Sequence, residues 1–337
     1  MNNTVRHKAE ALNYSEDMKL YFRKNFIRKR SNAVGFTVVV AFGLQYALIF
    51  LISLILRLLT LLGAESLYDI NVINFINEMV VVTTLTVPFA VCAIIVNGSV
   101  SKTVLSEKVN PLVFIGSTLV AFGVNALSNY GNAVFKNVLS LFGTEAVAIT
   151  NSGYSGTENL AITLLCSAVF PALIEEFAYR GVVLGVFRRS MSDMSAIIMS
   201  AVVFAVIHGN LAQIPFAFGM GLAFALVTVS TKSIWPAIVA HFLNNACSVI
   251  LSSGLVANLP GNSSAVLSYM FYVISSAALV FGLLLLYFKN RKIFSLSDCN
   301  TDLTVWQTVK ASILSPGIIL AFVAYGIQIF LLQTGVL

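Results

Sequence analysis

Nine apolar runs, at roughly 33–62, 79–99, 111–130, 159–187, 194–210, 213–230, 234–254, 265–288 and 312–334, alternate with short polar stretches along the chain. Each except the fifth has about the length a helix needs to cross the hydrocarbon core of a bilayer. In lipid, a helix satisfies its own backbone hydrogen bonds, so the pattern predicts an all-α, polytopic transmembrane bundle of about 8–9 spans. Four regions are expected: a basic cytosolic amino-terminal arm over 1–32, accessory transmembrane helices over 33–158, a core of four helices around a polar cavity over 159–254, and carboxy-terminal transmembrane helices over 255–337. Within 131–157, Gly131, Gly143, Gly153 and Gly156 predict an irregular or amphipathic connection. Pro316-Gly317 and the polar approach from Asp298 to Lys310 make 312–334 the weakest span, which would also suit a loosely attached accessory helix. Between the fifth and sixth runs, the turn from Gly209 to Pro215 is expected to dip into the membrane beside a polar cavity.

Composition excludes a soluble domain: the 337 residues are 58% hydrophobic and only 10% charged, with a mean hydropathy of +0.89. Charge then orients the bundle. Apart from Arg57, Lys136 and Arg180, the 20 Lys and Arg lie in the arm or in alternate loops, among them Lys102, Lys108, Arg188, Arg189, Lys232, Lys289 and Arg291. That bias places the amino terminus in the cytosol, and the membrane expected is the plasma membrane of a bacterium. The opposite loops carry Glu65, Asp69, Glu78, Glu145 and Glu158. In the arm, Tyr14, Met18, Tyr21 and Phe22 share a helical face suited to anionic headgroups, although a solvated positive tail explains the same residues. The polar start reads as no cleaved signal peptide. Cys92, Cys166, Cys247 and Cys299 lack CxxC spacing and suggest neither a disulfide framework nor a zinc knuckle.

Candidate chemistry begins with Leu173-Ile-Glu-Glu-Phe-Ala-Tyr-Arg-Gly181, two adjacent carboxylates and an arginine in an apolar segment. Ionisable groups in a bilayer are costly and mark function. Glu176 and Arg180, four apart, share a helical face and neutralise each other, which leaves Glu175 seeking another partner. Counted along each helix from its basic end, Glu175 lies ~20 Å deep, His208 ~21 Å and His241 ~14 Å, so three segments place ionisable groups in one slab. Asn245 is one turn beyond His241, and together they can polarise a carbonyl. A lone membrane histidine or asparagine is usually interhelical glue worth ~1 kcal/mol; the set at one depth argues for a site.

Glu175-Glu176-x-x-x-Arg180, Phe204-x-x-x-His208 and His241-x-x-x-Asn245, in that order on successive apolar helices, resemble the three motifs of the CPBP family, the CAAX prenyl protease 2 and bacteriocin-processing (Abi) intramembrane proteases. The resemblance covers about residues 159–254. It implies an intramembrane endopeptidase in which Glu175 is the catalytic glutamate, His208 its water-activating partner, and His241 and Asn245 the oxyanion-stabilising groups. Glu176 and Arg180 would support them, with Phe204 completing its motif. No cofactor is certain; Glu175, His208 and His241 could hold a divalent metal such as zinc, with a water in the fourth position. HExxH is absent, which slightly favours a metal-independent glutamate-histidine mechanism.

Two other classes use the same residues: a proton- or cation-coupled transporter, and a non-catalytic membrane scaffold or immunity protein. The first finds no inverted repeat here. The partners expected are the lipid bilayer and a membrane-associated or lipid-modified protein or peptide, and no nucleic acid; oligomeric state is left open. Because depth was counted from basic ends, the site is expected to open towards the cytosol or inner leaflet, with Asn210 to Pro215 as the floor closing it against the other face.

Overall fold

A computed structural model describes residues 3–63, 70–147, 159–297 and 303–335 of the protein. Glu65, Asp69, Gly153, Gly156, Glu158, Asp298 and Cys299 therefore lie outside the described residues. Within them the chain is helical, with no named strand. The principal helices are α1 (Asn3–Leu61), α2 (Ile70–Asn97), α3 (Pro111–Leu141), α4 (Leu160–Phe187), α5 (Asp193–Val206), α6 (Ile214–Thr231), α7 (Trp235–Ser252), α8 (Ser263–Lys289), α9 (Val305–Ile313) and α10 (Pro316–Gln333).

The nine apolar runs all become helices, but seven among the described residues are long and apolar enough to cross a membrane: α1, α2, α3, α4, α6, α8 and α10. The other two, α5 and α7, fall short of that length or apolarity for physical reasons. With 14 residues, α5 rises only about 21 Å. At 18 residues α7 is long enough, but His241, Asn244, Asn245 and Ser248 dilute its apolarity. The two helices that fall short carry the second and third motifs.

Local chemistry sets the helix ends. Asn110 caps α3 by accepting from the Leu112 N–H, with Pro111 in the first turn, where no N–H is needed. Ser192 caps α5 through the Ser195 N–H, and Thr304 with Gln307 forms a capping box at α9. Lys232 ends α6 in the left-handed region at φ 53°. Gly131 does not break the chain as expected: α3 runs through it to Leu141, and the turn comes at Gly143, φ 70°.

No element boundary falls at residue 32. A single helix carries the basic arm into the first span, and Ile27 and Ser31 are already buried. Nor is the last helix loosely attached. Gly35 of α1 sits so close to Gly317 that a Cβ on either would strike the other helix's backbone. The Gly317 N–H donates to Asn32 Oδ1 at 2.9 Å, and Ser31 and Ser312 share a hydroxyl bond at 2.7 Å. Small residues likewise draw α3 against α8, where a Cβ on Gly123 would meet the Leu279 backbone.

The end of the bundle that carries the basic loops is stitched shut. Glu107 N–H donates to the Lys232 carbonyl and Ile234 N–H to the Leu105 carbonyl, joining the α2–α3 and α6–α7 loops. Arg189 bonds the Lys102 carbonyl at 2.6 Å. Arg188 pairs with Asp193 at 2.7 Å, and Asp193 also accepts from the Ser297 hydroxyl. Beneath this layer Val182, Val183, Leu184, Val186 and Phe187 are buried.

Candidate active site

Most of the residues singled out in the sequence meet around one carboxylate. Glu176, fully buried, accepts from Arg180 Nη1 at 2.8 Å and from His241 Nδ1 at 2.8 Å through the same oxygen, Oε1. The i, i+4 pairing forms within a π-helical stretch of α4, Glu176–Val183; another, Leu165–Val169, precedes Pro171. Pro171 supplies no N–H to the ladder, and such wide turns recur at functional sites. Arg180 is buried as well, its guanidinium 4.1 Å from the Phe204 ring centroid and 5.0 Å from that of Phe224. Phe204 is thus a wall for the cation. His241 lies nearly parallel to Phe224, 5.1 Å between centroids, so packing and Glu176 together fix the imidazole plane.

Glu175 is the carboxylate left over. Its Oε2 stands 4.0 Å from His241 Nε2, and 21% of its side chain is exposed, into a cavity of about 660 Å³. His208, just past the end of α5, faces the same cavity. Its Nδ1 is 2.7 Å from the Phe204 carbonyl. A carbonyl only accepts, so Nδ1 carries the proton and Nε2 of the neutral ring is an acceptor.

Asn245 lines the cavity beside His241, and behind it runs a relay that the sequence reading missed. Asn129 Nδ2 donates to Asn125 Oδ1 at 3.0 Å, Asn125 Nδ2 donates to Asn244 Oδ1, and Asn244 Nδ2 donates to Asn245 Oδ1 at 3.4 Å. The relay uses the Asn245 oxygen as acceptor and leaves its amide N–H groups for another acceptor. Asparagines at 125, 129 and 132 on one face of α3 were the available signal. The cavity is accordingly walled by α3 and α8 in addition to the four helices α4 to α7.

A second cavity, of about 1130 Å³, adjoins the first, and both are lined by Glu175, Gln213, Asn245, Ser248 and Ser252. It holds Glu78, expected in a loop but placed on α2, whose Oε1 is buried without a hydrogen-bond partner. Cys92, Cys166 and Cys247 are free thiols.

Both cavities open away from the basic loops, which overturns the expected direction of access. Their linings use the last turns of α3 and α7 and the first turns of α2, α4, α6 and α8, all at the opposite end. The turn before α6 is internal as expected, with Asn210 fully buried and Ala212 and Gln213 lining the first cavity. It forms a side wall near the mouth. The floor is the Arg180–Phe224–His241 layer.

Among the described residues no three His, Cys, Asp or Glu side chains are gathered to hold an ion. Glu176 holds Nδ1 of His241 and the Phe204 carbonyl holds Nδ1 of His208, which leaves Nε2 of each ring turned to the cavity that Glu175 also lines.

Residues 157–247 match the family described as type II CAAX prenyl endopeptidase Rce1-like. Over 97 residues the chain is 28% identical to a protein of Bacillus subtilis (strain 168) named "Putative membrane peptidase YdiL", covering 29% of this chain and 40% of that protein. It is 31% identical over 97 residues to "Membrane-embedded CAAX protease MroQ" of Staphylococcus aureus (strain USA300), covering 27% of this chain and 39% of that one. The chain spans about two fifths of the length of these curated relatives. No solved structure matches it significantly. The similarity holds all three motifs and the whole of α4 to α6, and leaves α1, α2, α3, α8, α9 and α10 outside it.

Proposed function

We propose that this integral membrane protein, whose residues 157–247 are of the Rce1-like CAAX-protease kind, is an intramembrane endopeptidase. Its substrate is a membrane-associated or lipid-modified protein or peptide. The observation that carries the reading is the pairing of a cavity-facing carboxylate, Glu175, with a His241 ring held at its other nitrogen by buried Glu176. His208 offers Nε2 to a water, and Glu175 takes a proton as the water oxygen bonds to the peptide carbonyl carbon. The carbonyl oxygen becomes an oxyanion. As an imidazolium, His241 donates from Nδ1 to Glu176 and from Nε2 towards that oxyanion, and the free Asn245 amide adds a second donor. Collapse breaks the C–N bond, and Glu175 returns its proton to the leaving nitrogen. One water is consumed, giving a new carboxylate and a new amine.

The test follows the oxygen. Purified protein in detergent, incubated with quenched fluorescent peptides of an apolar sequence in H₂¹⁸O, is expected to release fragments whose new carboxylate carries one ¹⁸O by mass spectrometry. Intact peptides, with a cation or proton flux across reconstituted vesicles instead, would overturn the peptidase reading in favour of transport.

Orientation belongs to the same proposal. With the basic loops in the cytosol of a bacterial cell, both cavities open to the outer side. In a variant without native cysteines, Ser252→Cys at the mouth is expected to react with a membrane-impermeant maleimide added outside intact cells. Ser101→Cys, in the α2–α3 loop, is expected to react only after lysis. Labelling of both from the same side would contradict the closed basic end.

A further inference from the structure

Lys136 departs from the charge pattern: it is basic, yet lies towards the end of the bundle away from the basic loops. An ordinary role for such a lysine is to snorkel to lipid headgroups. Its surroundings argue for another. Asn125, Asn129, Asn132 and Lys136 follow one another on α3 at helical spacing, share a face, and all line the first cavity. Asn125 and Asn129 are bound into the relay that ends at Asn245, whereas Asn132 Oδ1 is buried without a partner. Lys136 is the one lysine or arginine among the described residues lining either cavity. The second cavity carries the opposite sign, with Glu78 beside Glu175.

We propose that this face of α3 is a substrate subsite, in which Asn132 hydrogen-bonds peptide backbone and Lys136 binds a carboxylate of the substrate. The inference rests on the peptidase reading above. From Asn125, level with Asn244 and hence with the reacting centre, Lys136 is about 16 Å further along the helix. An extended peptide covers about 3.3 Å per residue, so the carboxylate lies roughly five residues from the cleaved bond. It is either the free carboxy terminus of a peptide or an Asp or Glu side chain at that distance. Among the described residues the second cavity offers that group no lysine or arginine, so Lys136 fixes which way the chain lies across Glu175. A charge-assisted bond of this kind separates acid from neutral twin by roughly ten- to a hundredfold.

The experiment measures Kd for fluorescent peptides on full-length Glu175→Gln protein in nanodiscs, and KM on the wild-type residue at 175, with Lys136 intact, Lys136→Met or Lys136→Glu. Four apolar peptides are compared: one ending in a carboxylate five residues past the cleavable bond, its carboxamide twin, and a longer amidated pair with Asp or Asn at that position. With Lys136 intact, at least one acid is expected to bind about tenfold or more tighter than its neutral twin. The preference disappears in Lys136→Met and reverses in Lys136→Glu, in KM rather than kcat. The first pair responding assigns a free carboxy terminus, and the second an acidic side chain. Unchanged acid-to-neutral ratios in both variants, with peptides still cleaved, overturn the subsite and leave the peptidase reading intact. A preference that follows anionic lipid content rather than the peptide assigns Lys136 to headgroups and likewise overturns it. Failure of Lys136-intact protein to cleave any peptide overturns the peptidase reading itself.

Discussion

Glu175→Gln is expected to lower peptide hydrolysis by roughly 10²–10⁴-fold, the range for loss of a positioned general base, while the protein unfolds at nearly the wild-type temperature. The two halves of this expectation come from one geometry. Glu175 faces the cavity, 21% exposed, and its neighbour His241 Nε2 is 4.0 Å away, too far for a hydrogen bond. An isosteric amide there removes the proton acceptor and disturbs little packing, so stability shifts by about 0.5 kcal/mol or less. His208→Ala is expected to fall in the same kinetic range, and His241→Ala by roughly 10²–10³-fold as an oxyanion donor is lost. Initial rates on a quenched peptide, beside thermal unfolding of the same samples, check all three. Near-wild-type turnover by Glu175→Gln would remove the glutamate from the chemistry.

Much of this site could be read from the chain. The Glu176–Arg180 pair follows from a spacing of four, and the common depth of Glu175, His208 and His241 follows from rise per residue. Arg180 could serve only one carboxylate, and Glu175 does face the cavity. What stayed hidden depends on long-range contact. Asn125 and Asn244 lie in apolar runs where a lone asparagine usually means interhelical glue, so only their pairing marks a relay. The direction of the mouth was missed for a related reason. Depth along a helix has no sign until one end of the bundle is known to be closed, and that closure comes from loops that meet in space, Leu105 with Ile234 and Glu107 with Lys232. Glu78 illustrates the same limit: α2 begins earlier than its most apolar stretch, which moves the carboxylate from an expected loop onto the cavity wall.

The buried pair predicts an asymmetry between stability and activity. Arg180→Met leaves the Glu176 carboxylate fully buried with His241 as its remaining hydrogen-bond partner, and removes a cation seated over Phe204 and Phe224. Loss of one partner from a buried pair costs about 3–5 kcal/mol, so the single variant is expected to unfold early and purify poorly. Glu176→Met leaves Arg180 buried with only its 3.5 Å bond to the Gly221 carbonyl, and is expected to lose a similar amount. Replacing both removes both desolvation penalties, and methionines fill similar volume. The double variant is therefore expected to regain most of the loss, because apolar replacement of a whole buried pair is often neutral. Activity does not follow. With Glu176 gone, His241 Nδ1 has no carboxylate to fix the ring, and the donor aimed past Glu175 loses its orientation. Equilibrium unfolding of the two single variants and the double variant measures the coupling directly, and peptide hydrolysis on the same samples separates it from function. A double variant that is both stable and fully active would show that Glu176 serves the fold alone, and that His241 needs no carboxylate behind it.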